Sequence, residues 1–269
     1  MFKRDALLLR LLFTVLALLT VSAAESFDKP TSKSVVPLGR STSGSGRRAK
    51  VTCYFYPQFM VKEVDRGEKG ADRLSIVPIT STVHHCTAFQ TKAEMVINAD
   101  EWSGYFKGVK KDLVFFDGDD LVNGGMGFAV YDAKTGKRIF EDSTLGHLEF
   151  SATNGPQISL KYTRVVDGQC IVPKDQAGCW EQIRKTIGLD NASPPDCKQA
   201  YEQSAQKLAK GRCQAQNSDT PQCVAKEIQL ARDQTKDATS IIAYPVEVTL
   251  GSQPSTKPIT GELKCWPSD

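Results

Sequence analysis

Phe128-Ala129-Val130-Tyr131-Asp132-Ala133-Lys134-Thr135-Gly136-Lys137-Arg138-Ile139-Phe140 reads as two β-strands folded back on each other, and it sets the class of the whole chain. Two runs rich in β-branched and aromatic residues flank a polar turn. Asp132 begins that turn, and Gly136 can take the left-handed conformation a bulged hairpin loop needs. The hairpin does not recur at a fixed period, which leaves a propeller without support.

The same signals extend outward from about residue 50 to 166. Residues 51–56 are β-branched and aromatic, and the run continues through 59–64, with Pro57 as a bulge or edge mark. Residues 65–72, with Gly67 and Gly70, read as a turn. Further short strands fall at 74–79, 92–97, 113–116, 127–131, 137–140, 147–151 and 158–166, and β character returns at 240–250 and 257–266. Short strands with turn signals at close intervals predict a mainly antiparallel β-sandwich or barrel-like sheet.

Residues 170–238 have a different period. Trp180, Ile183 and Ile187 form one helical stripe. Ser193-Pro194-Pro195-Asp196 reads as a helix start, with Ser193 as N-cap and Pro194 at the first position. Cys197, Ala200, Tyr201 and Leu208 would share a face of that helix, and Gly211 suits its end. Thr220-Pro221 opens a third helix with Val224, Ile228 and Ala231 in register. The predicted organisation is a signal peptide over 1–24, a flexible tether over 25–48, and a single β-rich domain over 49–269. That α+β domain carries a disulfide-stapled helical insertion at 170–238.

The signal peptide rests on Lys3 and Arg4, the apolar run 11–21, and the small residues Ser22-Ala23-Ala24 of a cleavage site after Ala24. The full chain holds 34 basic and 31 acidic side chains; removing Lys3, Arg4, Arg10 and Asp5 leaves 31 and 30, a net charge of +1. A chain so balanced has no global field to draw in nucleic acid or an anionic membrane. No second apolar run approaches spanning length, so no membrane span is expected in the mature chain. The expected location is exported, periplasmic or extracellular. There the eight cysteines read as four disulfides. Cys53 and Cys86 are the only two in the first β half and are natural partners. Cys213 and Cys223 meet if the second and third helices form an antiparallel hairpin. The pairing among Cys170, Cys179, Cys197 and Cys265 stays open. Neither CxxC nor His-x3–5-His spacing supports zinc.

Two segments carry candidate chemistry. Trp102-Ser103-Gly104-Tyr105-Phe106-Lys107-Gly108-Val109-Lys110-Lys111 mixes aromatics with lysines. Trp102, Tyr105, Phe106 and Lys107 could bind an envelope glycan or protein, with the lysines as a positive rim for an anionic one. The competing reading is a strand with one buried aromatic face. Asp117, Asp119, Asp120 and Asn123 supply oxygen ligands of the kind calcium takes. Their spacing is not that of an EF-hand, and an Asp/Asn/Gly turn is the simpler reading. Calcium is the one cofactor considered; otherwise none is expected. His84-His85-Cys86 reads as a polar loop beside a disulfide. Nucleophile elbow, P-loop and dinucleotide fingerprint are all missing. The expected function is a binding or interaction module without catalytic activity, its ligand unknown. The alternative is a periplasmic hydrolase with an acid/base pair assembled by the fold, which leaves no trace in sequence.

Gly104-Tyr105-Phe106-Lys107-Gly108-Val109-Lys110-Lys111-Asp112, Gly124-Gly125-Met126-Gly127-Phe128-Ala129-Val130-Tyr131-Asp132 and Tyr244-Pro245-Val246-Glu247-Val248 resemble segments of uncharacterised exported proteins of Gram-negative bacteria. With the Cys-Trp pairs at 179–180 and 265–266, the resemblance covers most of the mature chain. It implies a periplasmic compartment and assigns no activity and no functional residue.

Overall fold

A computed structural model describes residues 26–40, 48–79, 85–151, 157–218 and 220–268. The expected signal peptide, its expected cleavage site and His84 lie outside them. The described chain is mostly antiparallel sheet. Strands β1 (Ser32–Arg40), β2 (Arg48–Phe55), β3 (Phe59–Asp65), β4 (Arg73–Pro78) and β5 (Met95–Ile97) pair in chain order as a five-stranded meander. Strands β6 (Gly104–Lys110), β7 (Leu113–Val122), β8 (Gly125–Asp132), β9 (Arg138–Ser151), β10 (Ile158–Asp167), β11 (Ser240–Leu250) and β12 (Ser255–Pro258) form the second sheet. β13 (Lys264–Pro267) also pairs with β11, beside Ser240 to Ala243. Helices α1 (Gln176–Ile187), α2 (Cys197–Ala215) and α3 (Pro221–Thr235) fall between β10 and β11. None of the described helices is long and apolar enough to cross a membrane.

Strand alternation places the core. On β7 and β8, Val114, Phe116, Ala129 and Tyr131 face Val61, Leu74 and Ile76 of the five-stranded sheet. The intervening Phe115, Phe128 and Val130 face the other way. There they join Leu160, Val246 and Val248, and Trp180, Ile183 and Tyr201 from the helices cover that cluster. Where the two layers and the helices overlap, β7 and β8 are thus buried on both faces, which is why 113–116 and 128–131 read as nearly continuous apolar runs.

The outer face of the five-stranded sheet carries Val51, Cys53, Met60, Val64 and Val77 under the segment that leads to β5. Cys53–Cys86 ties that segment down. Beneath it lies a buried ion pair, Lys62 Nζ to Glu94 Oε2 at 2.5 Å, with side chains 3% and 0% exposed. Ser75 Oγ and the Thr91 N–H also donate to Glu94, and Lys62 donates to the Phe89 carbonyl.

Several sequence expectations need correction. The expected tether 25–48 contains β1, which pairs with β2 from Ser32 to Arg40. Its Ser/Gly-rich part, residues 41–47, lies outside the described residues. Ahead of β1, the Asp28 N–H bonds the Val109 carbonyl, and Phe27 packs edge-on against Phe115 and Phe150. Pro57 is no bulge: Tyr56 N–H bonds Phe59 C=O, and the chain reverses there between β2 and β3. Residues 138–140 and 147–151 belong to one strand, β9, whose register shifts opposite Val130 and Tyr131 and again around Gly146 at φ 94°. The second helix starts later than expected, with Asp196 as its cap, because a residue before proline disfavours the helical region. Its buried stripe is Tyr201, Ala205, Ala209 and Cys213, and Leu208 is exposed. Small alanines let α3 approach closely where a leucine would hold it off. Gly211 lies inside the helix rather than at its end. The expected hairpin at 128–140 is present, with Gly136 at φ 66°.

All eight cysteines are paired. Cys53–Cys86 and Cys213–Cys223 are as expected. The open set resolves as Cys170–Cys179, beside α1, and Cys197–Cys265, which ties α2 to β13.

Candidate functional site

The aromatic and lysine candidates do not form one surface, because β6 sends successive side chains to opposite faces. Phe106 is wedged between Tyr54 and Phe116, inside the contact between the sheets. The Tyr105 hydroxyl accepts from the Gly70 N–H at 2.9 Å. Lys107 Nζ lies 2.6 Å from Asp117 Oδ1. Lys110 bonds the Ser26 carbonyl and pairs with Asp28, and Lys111 Nζ bonds the Gln157 carbonyl. The expected positive rim is therefore tied up internally, leaving no anion-binding cluster there.

Trp102 stands apart from the other three. Its Nε1 donates to the Asp117 carbonyl at 3.3 Å, and its ring lies over Gly127, where an added Cβ would come within 3.3 Å. It is half-buried: one side seals the edge of the inter-sheet core, the other lines a groove of about 640 Å³. The groove floor continues the face that carries Phe116 and Ala129. Two residues further along each strand, that face presents Gly118 and Gly127. Ser143 and Val165 extend the floor across β9 and β10.

The lip of the groove is the β7–β8 hairpin. Asn123 at φ 51° and Gly124 at φ 78° make a two-residue turn between the paired Val122 and Gly125. Positive φ at both positions is the tight hairpin geometry that Asn-Gly favours. Trp266 Nε1 holds this tip by donating to the Asn123 carbonyl at 3.0 Å. Trp266 follows Cys265, so the Cys197–Cys265 disulfide braces the same lip.

The hairpin geometry also places the residues considered as calcium ligands. Asp117, Asp119 and Asp120 lie along a strand rather than around a loop. Each has its own partner: Asp117 has Lys107, Asp119 accepts from Ser103 Oγ at 3.1 Å, and Asp120 pairs with Lys69. The Lys69 ammonium holds the Asp120 carboxyl below its usual range. Asn123 contributes its carbonyl to Trp266. Among the described residues, no group of three or more His, Cys, Asp or Glu is arranged to hold a metal.

The groove is acidic, with seven carboxylates and no Lys, Arg or His in its lining. Three are compensated: Asp120 by Lys69, Glu141 by Arg138, and Asp142 by Arg164 at 2.9 Å. Asp100, Glu101, Asp119 and Asp167 have no ion-pair partner among the described residues. A concave site lined by one sign of charge concentrates counter-charged ligands even on a nearly neutral protein. At physiological salt that reach is limited to about 8 Å.

Sequence reading found Trp102 and Asp119 but missed Asp100, Glu101, Asp167 and Trp266. These come from separate segments joined only by the fold. A larger cavity of about 780 Å³ lies beside α2 and α3; of its four cations, Lys174, Arg232 and Lys236 are paired with Asp237, Glu202 and Asp233, which leaves Lys198 as a single exposed charge. His147 and His85 are both exposed, and His147 lines neither cavity. Comparison with protein-family models, curated proteins and solved structures returns no match.

Proposed function

We propose that this chain is an exported, disulfide-braced binding module, without catalytic activity, whose partner docks in the groove beside Trp102. Export is supported by the N-terminal pattern and by four disulfides, which persist in oxidising compartments such as the periplasm or the extracellular space. We read the two sheets as layers of an open sandwich, with the groove where the smaller layer stops covering the larger.

The observation that carries the binding reading is a half-buried tryptophan set over a glycine floor, between carboxylates that have no cation of their own. A ring fixed on one side and open on the other offers apolar contact at little entropic cost. The hydrolase alternative has less behind it. The buried carboxylates are committed elsewhere: Glu94 to Lys62, Asp142 to Arg164 and Tyr162, Glu63 to the Phe106 N–H, and Asp65 to the Gly67 N–H and Lys50.

Substitution at two positions tests the reading. Trp102→Ala should keep a cooperative melt and lose a partner captured by crosslinking the exported protein. Val122→Lys, on a residue 65% exposed, should lose the same partner with no change in melting. A partner retained by both variants refutes the site. Turnover of envelope glycans or peptides, stopped by one acidic substitution without loss of stability, refutes the module.

A further inference from the structure

We infer, resting on the binding reading above, that the groove receives a basic polypeptide strand in which lysine or arginine alternates with apolar side chains. The groove runs across four neighbouring strands: Asp119 is on β7, Gly127 on β8, Ser143 on β9 and Asp167 on β10. Three inter-strand steps of about 4.8 Å set its length at roughly 14 Å. A cation that needs oxygen ligands at about 2.3–2.6 Å cannot be shared between carboxylates that far apart. A ligand that satisfies both ends must itself be extended and carry more than one positive charge.

Apolar surface separates a polypeptide from a plain polyamine. Trp102, Val122 and Val165 lie among the carboxylates, and Val122 is largely open to solvent. An extended chain rises about 3.3 Å per residue and sends alternate side chains to opposite sides. Four or five residues therefore cross the groove. One set of side chains reaches Asp100, Glu101, Asp119 and Asp167, and the other lies on the valines and the tryptophan. A polyamine supplies the charges and leaves the apolar positions uncovered. The charge complementarity is local, since the chain beyond the signal peptide is almost neutral.

The test uses the mature chain with its disulfides intact and a fluorescently labelled decapeptide of alternating lysine and leucine, followed by anisotropy. The matching glutamate–leucine peptide, spermine and calcium are run beside it. The lysine–leucine peptide should bind, weaken with salt, and be displaced poorly by spermine or calcium; the glutamate–leucine peptide should not bind. Asp100→Asn with Glu101→Gln should weaken binding about three- to tenfold, as expected for two exposed charges. Val122→Lys should weaken it at least as much. Equal affinity for wild type and the double variant, no binding, or displacement by spermine or calcium at matching affinity overturns the inference. If a partner depends on Trp102 but the lysine–leucine peptide does not compete with it, this inference fails and the binding module stands. If no partner depends on Trp102, the module itself fails.

Discussion

Replacing Lys62 by methionine should destabilise the protein by about 3 kcal/mol at neutral pH, and the loss should shrink on acidification. The Lys62 and Glu94 side chains are almost fully buried and meet at 2.5 Å. Removing one partner of a buried ion pair costs roughly 3–5 kcal/mol, because the remaining charge is left uncompensated. The lower end applies here, since Arg73 Nε lies 3.6 Å from Glu94 Oε1, and Ser75 and Thr91 still donate to the carboxylate. The pH dependence follows from Glu94. Burial alone would raise its pKa, but the hydrogen bonds from Lys62, Ser75 and Thr91 outweigh burial and hold it below the usual 4.5. In the wild type this contribution is present above the unfolded pKa and lost as pH falls through the folded one. In Lys62→Met burial prevails, the folded pKa rises, and protonation relieves the buried charge. Urea unfolding at neutral pH and again near pH 4.5 measures both effects. A difference under about 1 kcal/mol at neutral pH, or one unchanged on acidification, refutes the reasoning.

Other expectations follow from particular contacts. Cys213→Ser with Cys223→Ser should cost about 2–3 kcal/mol, seen as faster amide exchange in α2 and α3 with the sheets protected, since the bridge closes a short loop at the far end of that hairpin. Gly108→Ala puts a Cβ 2.4 Å from the Phe27 ring and should destabilise by about 1–3 kcal/mol; adding Phe27→Ala should cost less than the sum of the two single changes, read by thermal melting. Burial raises the Glu63 pKa, so Glu63 costs the wild type stability as pH climbs from the unfolded value through the folded one. Glu63→Gln should therefore match or exceed wild type at neutral pH and lose that advantage in acid, and an acid-side advantage for the variant would contradict the sign.

What the sequence made legible follows the range of each interaction. The hairpin at 128–140, the strand-rich halves and the Thr220-Pro221 helix start depend on neighbours within a few residues, and they appear where local chemistry puts them. Two disulfides were readable because one closes a local loop and the other joins the only cysteines of its region. Cys197–Cys265 was not, since it spans 68 residues and depends on how α2 lies beside β13, and with it unplaced Cys170–Cys179 stayed open too, although only 9 residues separate that pair. The misread N-terminus has the same origin. Residues 32–40 look polar and unpatterned because β1 is an edge strand whose Val35 and Leu38 stay exposed. At the site, the aromatic cluster was visible but its division between faces was not. Strand parity turns Phe106 into the core and Tyr105 away from it, and Trp102 reaches the groove from the segment that precedes β6. The acidity of the groove had no local signal: its uncompensated carboxylates come from the segment before β6, from β7 and from the end of β10.

The most direct measurement of the central claim places a photoreactive side chain at Val122, on the groove lip, and at Lys226 on α3 of the protein expressed in its own cells. A binding module that uses the groove gives a discrete adduct from position 122, suppressed by the lysine–leucine peptide, and none from position 226. Equal adducts from both positions, or an adduct at 122 that persists in Trp102→Ala, would contradict it.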